Sequence, residues 1–435
     1  MSKQIQEAYI VAATRTPVAK RNGMFRNVRP DDMLADVLRA VVGQVPGLDA
    51  TEIGDVIVGC AMPEAEQGMN VARIGVLLAG LPNSVPGITI NRFCSSGLQA
   101  VADAAARIRL GEADVMIAAG TESMTVMPQI MGNKISLNPA IFAREENLGI
   151  AFGMGLTAEK VAQQWKVSRE EQDAFAVQSN QRAAAAIAAG AFRDEISPYT
   201  VTTHLPGEGG TVRVVERVCD TDEGPRADAS MQSLARLKPV FAARGSVTAG
   251  NSSQMSDGAG AVLLMSEAAV KRYGVTPIAR FCSYSVAGVP PEIMGIGPVE
   301  AIPRALKAAG ITQSQLDWIE LNEAFAAQAI AVTRQLDLDP AVINRQGGAI
   351  ALGHPLGATG AIRAATLMSA MRRGQARYGM ISMCIGTGMG AAGVFEKLRV
   401  GGGRGGLSPP RPFIGRLFPA RRFRGEMAEL RIPYR

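Results

Sequence analysis

Two distant stretches of the chain share one order of strand, loop, helix and strand, and this internal repetition constrains the fold more than any other feature. The first covers residues 90–124 and the second covers 343–389, and both open with the letters INR. Helices are expected at 98–110 and 361–371, and apolar strands at 115–119 and 379–383. Continuous apolar strands that alternate with helices predict βαβ units and parallel sheets, in an α/β fold made by duplication.

The chain between the repeats has a different character. Residues 168–192 predict a helix, with Ser168 as its N-cap, Glu171 as the capping-box partner and Gly190 near its end. Residues 203–232 are polar and predict turns.

An apolar run at 261–265 then predicts a strand that returns to the first half. We therefore expect an N-terminal half at 1–121 and 247–272, an inserted loop domain at 122–246 and a C-terminal half at 273–398.

The positive charge of the chain is concentrated in its last 37 residues. The net charge is +6, but residues 399–435 contain nine Arg and two Glu, which leaves 36 basic and 37 acidic residues elsewhere. Nucleic-acid binding is therefore not expected from bulk charge. The tail is rich in Gly, Pro and Arg, lacks hydrophobic periodicity and is expected to be disordered.

The five cysteines include no CxxC pair, and there are only two histidines. Neither a disulfide scaffold nor a metal site is expected, and a reducing, cytoplasmic setting is favoured. We expect no leader peptide and no membrane span, because no uncharged apolar run is long enough. Dinucleotide binding is a weak alternative, since GxGxxG is missing where a first strand–helix turn would need it.

Cys94 lies in the segment ITINRFCSSGL (88–98), which predicts a strand, a tight turn and the first turn of a helix. A cysteine there faces free backbone N–H groups and the positive end of the helix dipole. Both lower a thiol pKa from about 8.5 and favour the nucleophilic thiolate. The competing interpretation is a small buried side chain, which is the usual role of a free cysteine.

His354 lies in GGAIALGHPLGATG (347–360), where five glycines allow a ligand to approach the backbone closely. Gly353 and Pro355 fix the loop that presents the imidazole, so either a functional or a structural role is open. The second histidine, His204, is in a polar HLPGEGG turn and is expected to be a solvated loop residue.

Two further polar side chains are predicted at strand ends. Cys384 ends a buried strand before a Gly-rich turn that can offer N–H groups to an oxyanion, although a core cysteine is the competing interpretation. Asn322 lies between a strand and a helix, where it is either a helix N-cap or a ligand for a water or carbonyl oxygen.

In their order along residues 5–398, these segments closely resemble the thiolase family. The motifs are VAATRTPVAKRNG, NRFCSSGLQAV, AGTESM, MGLTAE, VTAGNSSQMSDGA, NEAFAAQ, GGAIALGHPLGATG and CIGTGMGAAG. The resemblance implies a five-layer αβαβα core made of two βαβαβαββ halves, with a loop domain over the active site.

The resemblance also implies a reaction. His354 would deprotonate Cys94, which attacks the 3-keto carbonyl of a 3-ketoacyl-CoA. Carbon–carbon cleavage would leave an acyl-Cys94 and an acetyl-CoA carbanion that Cys384 protonates. A second CoA thiol would then collect the acyl group, so that the kinetics are ping-pong.

Two oxyanion holes follow from the same resemblance. His354 and a water on Asn322 would serve the enolate, and the amides of Cys94 and Gly386 would serve the tetrahedral intermediate. Arg226 would meet the nucleotide end of CoA. The full set of implied CoA contacts is Met154, Arg226, Ser233, Phe241, Ala249, Ser253, Ala324 and Phe325.

Two departures from the short-chain biosynthetic branch favour a degradative 3-ketoacyl-CoA thiolase of acyl-CoA breakdown. The chain has GMG at 153–155 where that branch usually has HMG, and it lacks the branch's longer basic loop. An acetoacetyl-CoA or 3-oxoadipyl-CoA thiolase is the near alternative. The Met-rich stretch 124–131 is either an adaptable acyl pocket or core.

Two alternatives come from other classes. A β-ketoacyl synthase-like condensing enzyme typically has His where this chain has Asn322 or Cys384. A non-catalytic binding module would be expected to have lost Cys94, His354 or Cys384, and all three are present.

The partners follow from the resemblance. CoA is expected as a substrate, with no tightly bound cofactor and no metal. A homodimer or homotetramer is expected, and association with a hydratase/dehydrogenase subunit stays open.

Overall fold

The computed structural model describes residues 5–127 and 136–398. The strands are β1 Ala8–Arg15, β2 Ala19–Lys20, β3 Ile53–Gly59, β4 Gly87–Ile90, β5 Val115–Ser123, β6 Tyr199–Pro206, β7 Val212–Cys219, β8 Ser256–Ser266, β9 Ala279–Gly288, β10 Trp318–Leu321, β11 Tyr378–Ile385 and β12 Met389–Lys397. The helices are α1 Pro30–Gly43, α2 Val71–Leu78, α3 Ser96–Arg109, α4 Met154–Gln164, α5 Arg169–Ala188, α6 Met231–Ala235, α7 Glu267–Tyr273, α8 Gly297–Ala309, α9 Ala326–Gln335, α10 Ala349–Leu352 and α11 Thr359–Arg372.

The main sheet is continuous and mixed, in the order β10-β11-β12-β9-β1-β8-β5-β3-β4, with β2 paired to β8. The prediction of parallel sheets was wrong for β8 and β12, which run antiparallel to their neighbours. The reason is visible at β12, which follows β11 across a tight turn where Thr387 and Gly388 have φ of 70° and 91°. A tight hairpin can join only antiparallel strands, whereas βαβ crossovers join parallel ones.

The strand order repeats across the sheet. The series β1-β8-β5-β3-β4 is matched by β9-β12-β11-β10, and β1 pairs with β9 where the two series meet. In the second series Ile343 bridges Ile319 in parallel, at the place that β4 occupies in the first. The predicted duplication is therefore present in the strand topology.

Helices form the layers between and outside the two series. The central helices α3 and α11 pack against each other and share one apolar core with β1, β5, β8, β9 and β11, in which Leu98, Val101, Leu367 and Met368 are buried. Helices α1 and α2 cover the outer side of the first series, and α8 and α9 cover that of the second. This arrangement is the expected αβαβα stack.

The central helices approach each other most closely at their N-terminal ends. A Cβ atom on Gly360 would lie 2.0 Å from the backbone nitrogen of Leu98, and one on Gly97 would lie 2.7 Å from that of Ala361. Real Cβ contacts are never so short, so only glycine fits at these positions. The turns that precede α3 and α11 are brought together in this way.

Between β5 and β8 the chain forms helices and a separate two-stranded sheet. Helix α5 begins at the expected N-cap, because Ser168 and Glu171 form a capping box. The prediction of turns at 203–232 was incomplete, since β6 and β7 form an antiparallel hairpin that starts before it and extends into it. Alternating Val and Thr residues favour strand over turn there. His204 accordingly lies in a strand and not in a turn.

A buried ion-pair network fastens this region to β1. Arg15 donates to Glu195 Oε1 at 2.7 Å and to both oxygens of Asp222 at 2.7 and 2.9 Å. All three side chains are almost fully buried.

Within the described ranges, no helix is long and apolar enough to cross a membrane. The tail 399–435 and part of the Met-rich stretch lie outside the described residues.

Candidate active site

Cys94 lies in a 3₁₀ turn, Phe93–Ser95, between β4 and α3. Phe93 has a φ of 44°, in the left-handed region that non-glycine residues seldom adopt. The turn is held by short contacts: Phe93 N–H donates to Asn91 Oδ1, and Arg92 N–H donates to Ser96 Oγ, each at 2.8 Å. Backbone strain held by its surroundings is common at functional sites.

The prediction of a lowered pKa for Cys94 was wrong for the resting site. Burial raises the pKa of the Cys94 thiol to about 11, although the N–H of Gly386 and its own N–H lower it and the Glu122 carboxylate raises it further. Loss of hydration therefore outweighs the helix terminus. Cys94 is therefore a thiol at rest, and a thiolate at this position would need a base nearby.

His354 provides a neutral imidazole. Its side chain is 4% exposed, and it follows Gly353, whose φ of 92° requires glycine. The Nδ1 atom is 2.7 Å from Thr359 Oγ1, and Nε2 is 3.3 Å from Asn322 Nδ2. Because an amide NH₂ only donates, Nε2 accepts and the ring proton lies on Nδ1, which donates to Thr359.

Burial lowers the pKa of His354 to about 3, with a smaller contribution from the Arg363 charge. The imidazole is therefore uncharged at neutral pH, with an unprotonated Nε2. Its Nε2 lone pair is free to accept a proton, but the lowered pKa makes the buried imidazole a weaker base than free histidine, so proton transfer from Cys94 must be driven by stabilisation of the charges that form.

Cys384 and Gly386 lie at the end of β11. Cys384 is fully buried, and burial raises the pKa of its thiol, as does the nearby Cys94. The N–H of Gly386 lies close enough to the Cys94 sulfur to lower the pKa of its thiol, as does the N–H of Cys94 itself. Two backbone N–H groups near one sulfur are the kind of arrangement that an oxyanion hole needs.

Asn322 does not cap α9, whose N-cap is Phe325. It follows β10, is 2% exposed and donates its backbone N–H to Ser382 O at 2.9 Å. Among the described residues, no donor reaches its buried Oδ1. A buried acceptor without a partner carries an energetic cost, so this oxygen is suited to receive a hydrogen bond from a water or ligand.

Glu122 is a site residue that sequence reasoning missed, although it lies inside the AGTESM motif. Its buried carboxylate accepts the N–H groups of Ala61 and Gly357 at 2.8 Å and of Met62 at 3.2 Å, and also the amide of Gln67. It thereby joins β5 to the loop after β3 and to the turn before α11. The sequence signal that could have identified Glu122 is an acidic residue at the end of a mostly apolar predicted strand.

The residues expected to contact CoA form two groups. In the first group, the Phe241 and Phe325 rings meet edge to face at 6.2 Å, and Ser253 N–H donates to Ala324 O at 2.9 Å. Met154 begins α4, and its sulfur is 3.5 Å from where a Cβ on Gly386 would lie. Met154 thus lies beside Gly386, and Ala324 and Phe325 share a buried cluster with Cys384.

The remaining three expected CoA contacts lie on the surface. Arg226, Ser233 and Ala249 are exposed, and Ser233 belongs to the capping box of α6. Leu234 packs against Gly250, which places α6 beside Ala249. Within the described part of the chain, no carboxylate pairs with the guanidinium of Arg226, which leaves that charge available to an anion.

A cavity of about 230 Å³ lies between α5 and α9. Its lining includes Ser179, Arg182, Glu323 and Asn344. Cys94, His354 and Cys384 do not line it. In residues 5–127 and 136–398, no three His, Cys, Asp or Glu side chains are grouped as metal ligands.

Comparisons with known proteins identify the family. A model described as the N-terminal domain of thiolase matches residues 8–268, and one described as the C-terminal domain matches residues 275–397. The chain belongs to the thiolase family. The fold predicted from the sequence is therefore confirmed.

Individual thiolases are similar over most of their length. The 3-ketoacyl-CoA thiolase of Bacillus subtilis is 50% identical over 393 residues, which is 90% of this chain and 100% of that protein. The peroxisomal 3-ketoacyl-CoA thiolase 2 of Arabidopsis thaliana is 49% identical over 90% of this chain and 84% of that protein. The crystal structure of the Bacillus anthracis acetyl-CoA acetyltransferase superposes with a TM-score of 0.82 at 39% identity, covering 91% of this chain and 100% of that one.

Proposed function

We propose that this protein is a 3-ketoacyl-CoA thiolase, an acetyl-CoA C-acyltransferase of fatty-acid breakdown. The observation that carries the proposal is the Cys94 sulfur beside the Gly386 N–H and the Cys384 thiol, with a neutral His354 held against Asn322. The names of the similar Bacillus subtilis and Arabidopsis thaliana proteins support the same activity.

The first half-reaction cuts the substrate. His354 Nε2 takes the proton of Cys94 as the sulfur attacks the 3-keto carbonyl, and the amides of Cys94 and Gly386 hold the resulting oxyanion. The carbon–carbon bond then breaks, leaving an acyl-Cys94 thioester and the enolate of acetyl-CoA. Cys384 is suited to protonate that enolate, because its raised pKa keeps it a thiol.

The second half-reaction returns the enzyme to its starting state. The thiol of a second CoA loses its proton to the Cys384 thiolate and attacks the acyl-Cys94 carbonyl. Protonated His354 then gives its proton back to Cys94 as the shortened acyl-CoA leaves. Every proton taken in the first half-reaction is returned, so CoA is a substrate and no bound cofactor enters the scheme.

Recognition of CoA is assigned to the groups described above. Arg226 supplies the charge for the phosphates of the nucleotide end. The Phe241–Phe325 pair and Met154 supply apolar surface next to the oxyanion amide, where the pantetheine arm and the thioester must end. We assign this role mainly to the region between β5 and β8, which was expected to form a loop domain over 122–246.

We also propose a cytoplasmic homodimer or homotetramer. Five free cysteines favour a reducing compartment. The name of the Arabidopsis thaliana relative describes a peroxisomal protein, and cell fractionation distinguishes the two compartments. Association with a hydratase/dehydrogenase subunit is a further proposal that size-exclusion chromatography with such a subunit tests.

The test is thiolysis of 3-ketoacyl-CoA substrates of about four, eight and sixteen carbons, with the wild type and Cys94→Ala. Faster turnover of the longer chains, abolished in the variant, supports the degradative thiolase. Turnover of the four-carbon substrate alone would instead assign an acetoacetyl-CoA thiolase, the activity class named for the Bacillus anthracis structure. No thiolysis by the wild type would refute the proposal.

A further inference from the structure

Glu323, the residue after Asn322, is a buried carboxylate that the proposed mechanism does not use. It is 1% exposed. Its Oε1 accepts the side-chain amide of Asn344 at 2.9 Å. Its Oε2 accepts the hydroxyl of Ser179 at 2.7 Å and the N–H of Ile350 at 3.2 Å. Three donors on two oxygens are the arrangement that an ionised carboxylate needs when it is removed from water.

Two of these partners hold the chain on either side of the site. Asn344 accepts the N–H of Leu321 at 2.9 Å and donates to the carbonyl of Leu321 at 2.7 Å, so it brackets the end of β10. Asn344 adopts a φ of 45°. Strain of this kind persists only when the surroundings fix it.

On the other side, the carboxylate is in contact with the segment that leads to His354. Ser179 Oγ, besides donating to Glu323, accepts the N–H of Gly348 at 3.1 Å. A Cβ on Gly348 would lie 2.1 Å from the carboxyl carbon of Glu323, so the backbone there rests directly on the carboxylate. Helix α10 follows, and His354 comes two residues after its end.

Asn322 and His354 therefore come from two separate segments, and one carboxylate is bonded to both. The contact between Asn322 Nδ2 and His354 Nε2 spans 3.3 Å and joins the end of β10 to the loop after α10. We call Glu323, Ser179 and Asn344, with the backbone of Gly348 and Ile350, the Glu323 clamp. Placement of catalytic groups to within about half an ångström depends on such supporting contacts.

We infer that Glu323 is a positioning residue, which sets the spacing of Asn322 and His354 by holding the end of β10 and α10 together. The inference rests on the proposed function, because the thiolase resemblance assigns Asn322, through a water, and His354 to the enolate oxyanion hole. The hydrogen-bond partners of Glu323 are Ser179, Asn344 and Ile350, and none of these is one of the reacting groups in the proposed mechanism. Its effect must reach the reaction through the Asn322–His354 pair.

The test variant is Glu323→Gln, which keeps the shape of the side chain but replaces one acceptor oxygen by an NH₂ group. At either oxygen position the new NH₂ group faces another hydrogen-bond donor, so the Glu323 clamp loses a contact. The spacing of Asn322 and His354 should change as a result. We expect kcat for thiolysis to fall by about 10- to 100-fold, with KM for CoA changed less than about twofold. Ser179→Ala, a milder variant, should lower kcat in the same direction by about 3- to 10-fold.

The matched control is Glu195→Gln. Glu195 is also a buried carboxylate, but its partners are Arg15 and Thr366 and it lies outside the clamp. A purely structural carboxylate loses stability without changing the kcat of the folded enzyme. The control should therefore lower Tm and leave kcat per folded enzyme within about twofold of the wild type.

Coupling to Asn322 separates positioning from general damage. In an Asn322→Ala background, Glu323→Gln should change kcat by less than about threefold, because the pair that it positions is already broken. The inference would be overturned if the kcat losses of Asn322→Ala and Glu323→Gln were additive in the double variant. It would also be overturned if Glu323→Gln alone left kcat per folded enzyme as unchanged as Glu195→Gln does.

A second readout does not depend on activity. The chain has only two histidines, so the ring nitrogens of His354 can be followed by ¹⁵N NMR with His204→Asn as the assignment variant. The wild type should show an unprotonated Nε2, Glu323→Gln should shift that resonance, and the control should not. An unshifted resonance would overturn the inference even if no thiolysis were found, and the Cys94→Ala comparison judges the proposed function separately.

Discussion

Gly360→Ala tests whether the contact between the two central helices positions the active site. The new Cβ would lie 2.0 Å from Leu98 N, 2.7 Å from Gly97 C and 2.8 Å from Leu98 Cα, all of them backbone atoms. To reach an ordinary contact of at least 3.4 Å, the helices must separate by about 1.4 Å. Overpacking of this kind costs about 1–3 kcal/mol of folding free energy. Because α3 follows Cys94 and α11 follows His354, the same shift should lower kcat by about 100-fold.

The assay combines chemical denaturation with thiolysis at saturating CoA, corrected for the folded fraction. Gly43→Ala is the control, since a Cβ there meets nothing within 4 Å and the residue ends α1. It should stay within about 1 kcal/mol of the wild type and keep full activity. If Gly360→Ala had the stability and kcat of the wild type, the claim that this contact requires glycine would be wrong.

Three further predictions concern the site and its frame. Alkylation of Cys94 by iodoacetamide, followed by peptide mass spectrometry, should accelerate about tenfold per pH unit between about pH 7 and 10, because its pKa is about 11; a plateau near pH 8 would contradict this. Thr359→Val removes the hydrogen-bond partner of His354 Nδ1, and it should lower the free energy of unfolding by about 1–3 kcal/mol and kcat by about tenfold. Thr359→Ser should restore both values, as measured by chemical denaturation and by thiolysis. Arg15→Ala leaves Glu195 and Asp222 buried without their cation and should lower the free energy of unfolding in urea by about 3–5 kcal/mol, and a loss below about 1 kcal/mol would show that water reaches these carboxylates.

The repeated strand–helix order predicted the duplicated halves correctly, because continuous apolar strands and Ala-rich helices are encoded locally. The antiparallel β8 and β12 were not predicted, since strand direction depends on which neighbour each strand finds across the sheet. The hairpin of β6 and β7 was hidden by polar residues in strands whose side chains are mostly solvent-exposed.

Within the site, Cys94, His354, Cys384 and Asn322 could be singled out as residues of the right chemistry in Gly-rich turns and at strand ends. Their protonation states could not, because a pKa depends on how much water the surrounding layers exclude. A helix terminus alone favours a thiolate at Cys94, yet burial reverses the direction. Glu122 and Glu323 were missed for a similar reason, since their partners come from segments distant in the sequence.

The contact of Gly97 with Gly360 also affects when the site can form during synthesis of the chain. Gly97 and Gly360 lie far apart in the sequence, so Gly97 is synthesised long before Gly360. A growing chain therefore contains Cys94 long before it contains His354, the base that the proposed mechanism assigns to it. Because Cys384 follows later still, the proposed site can be assembled only after most of residues 5–398 have been synthesised.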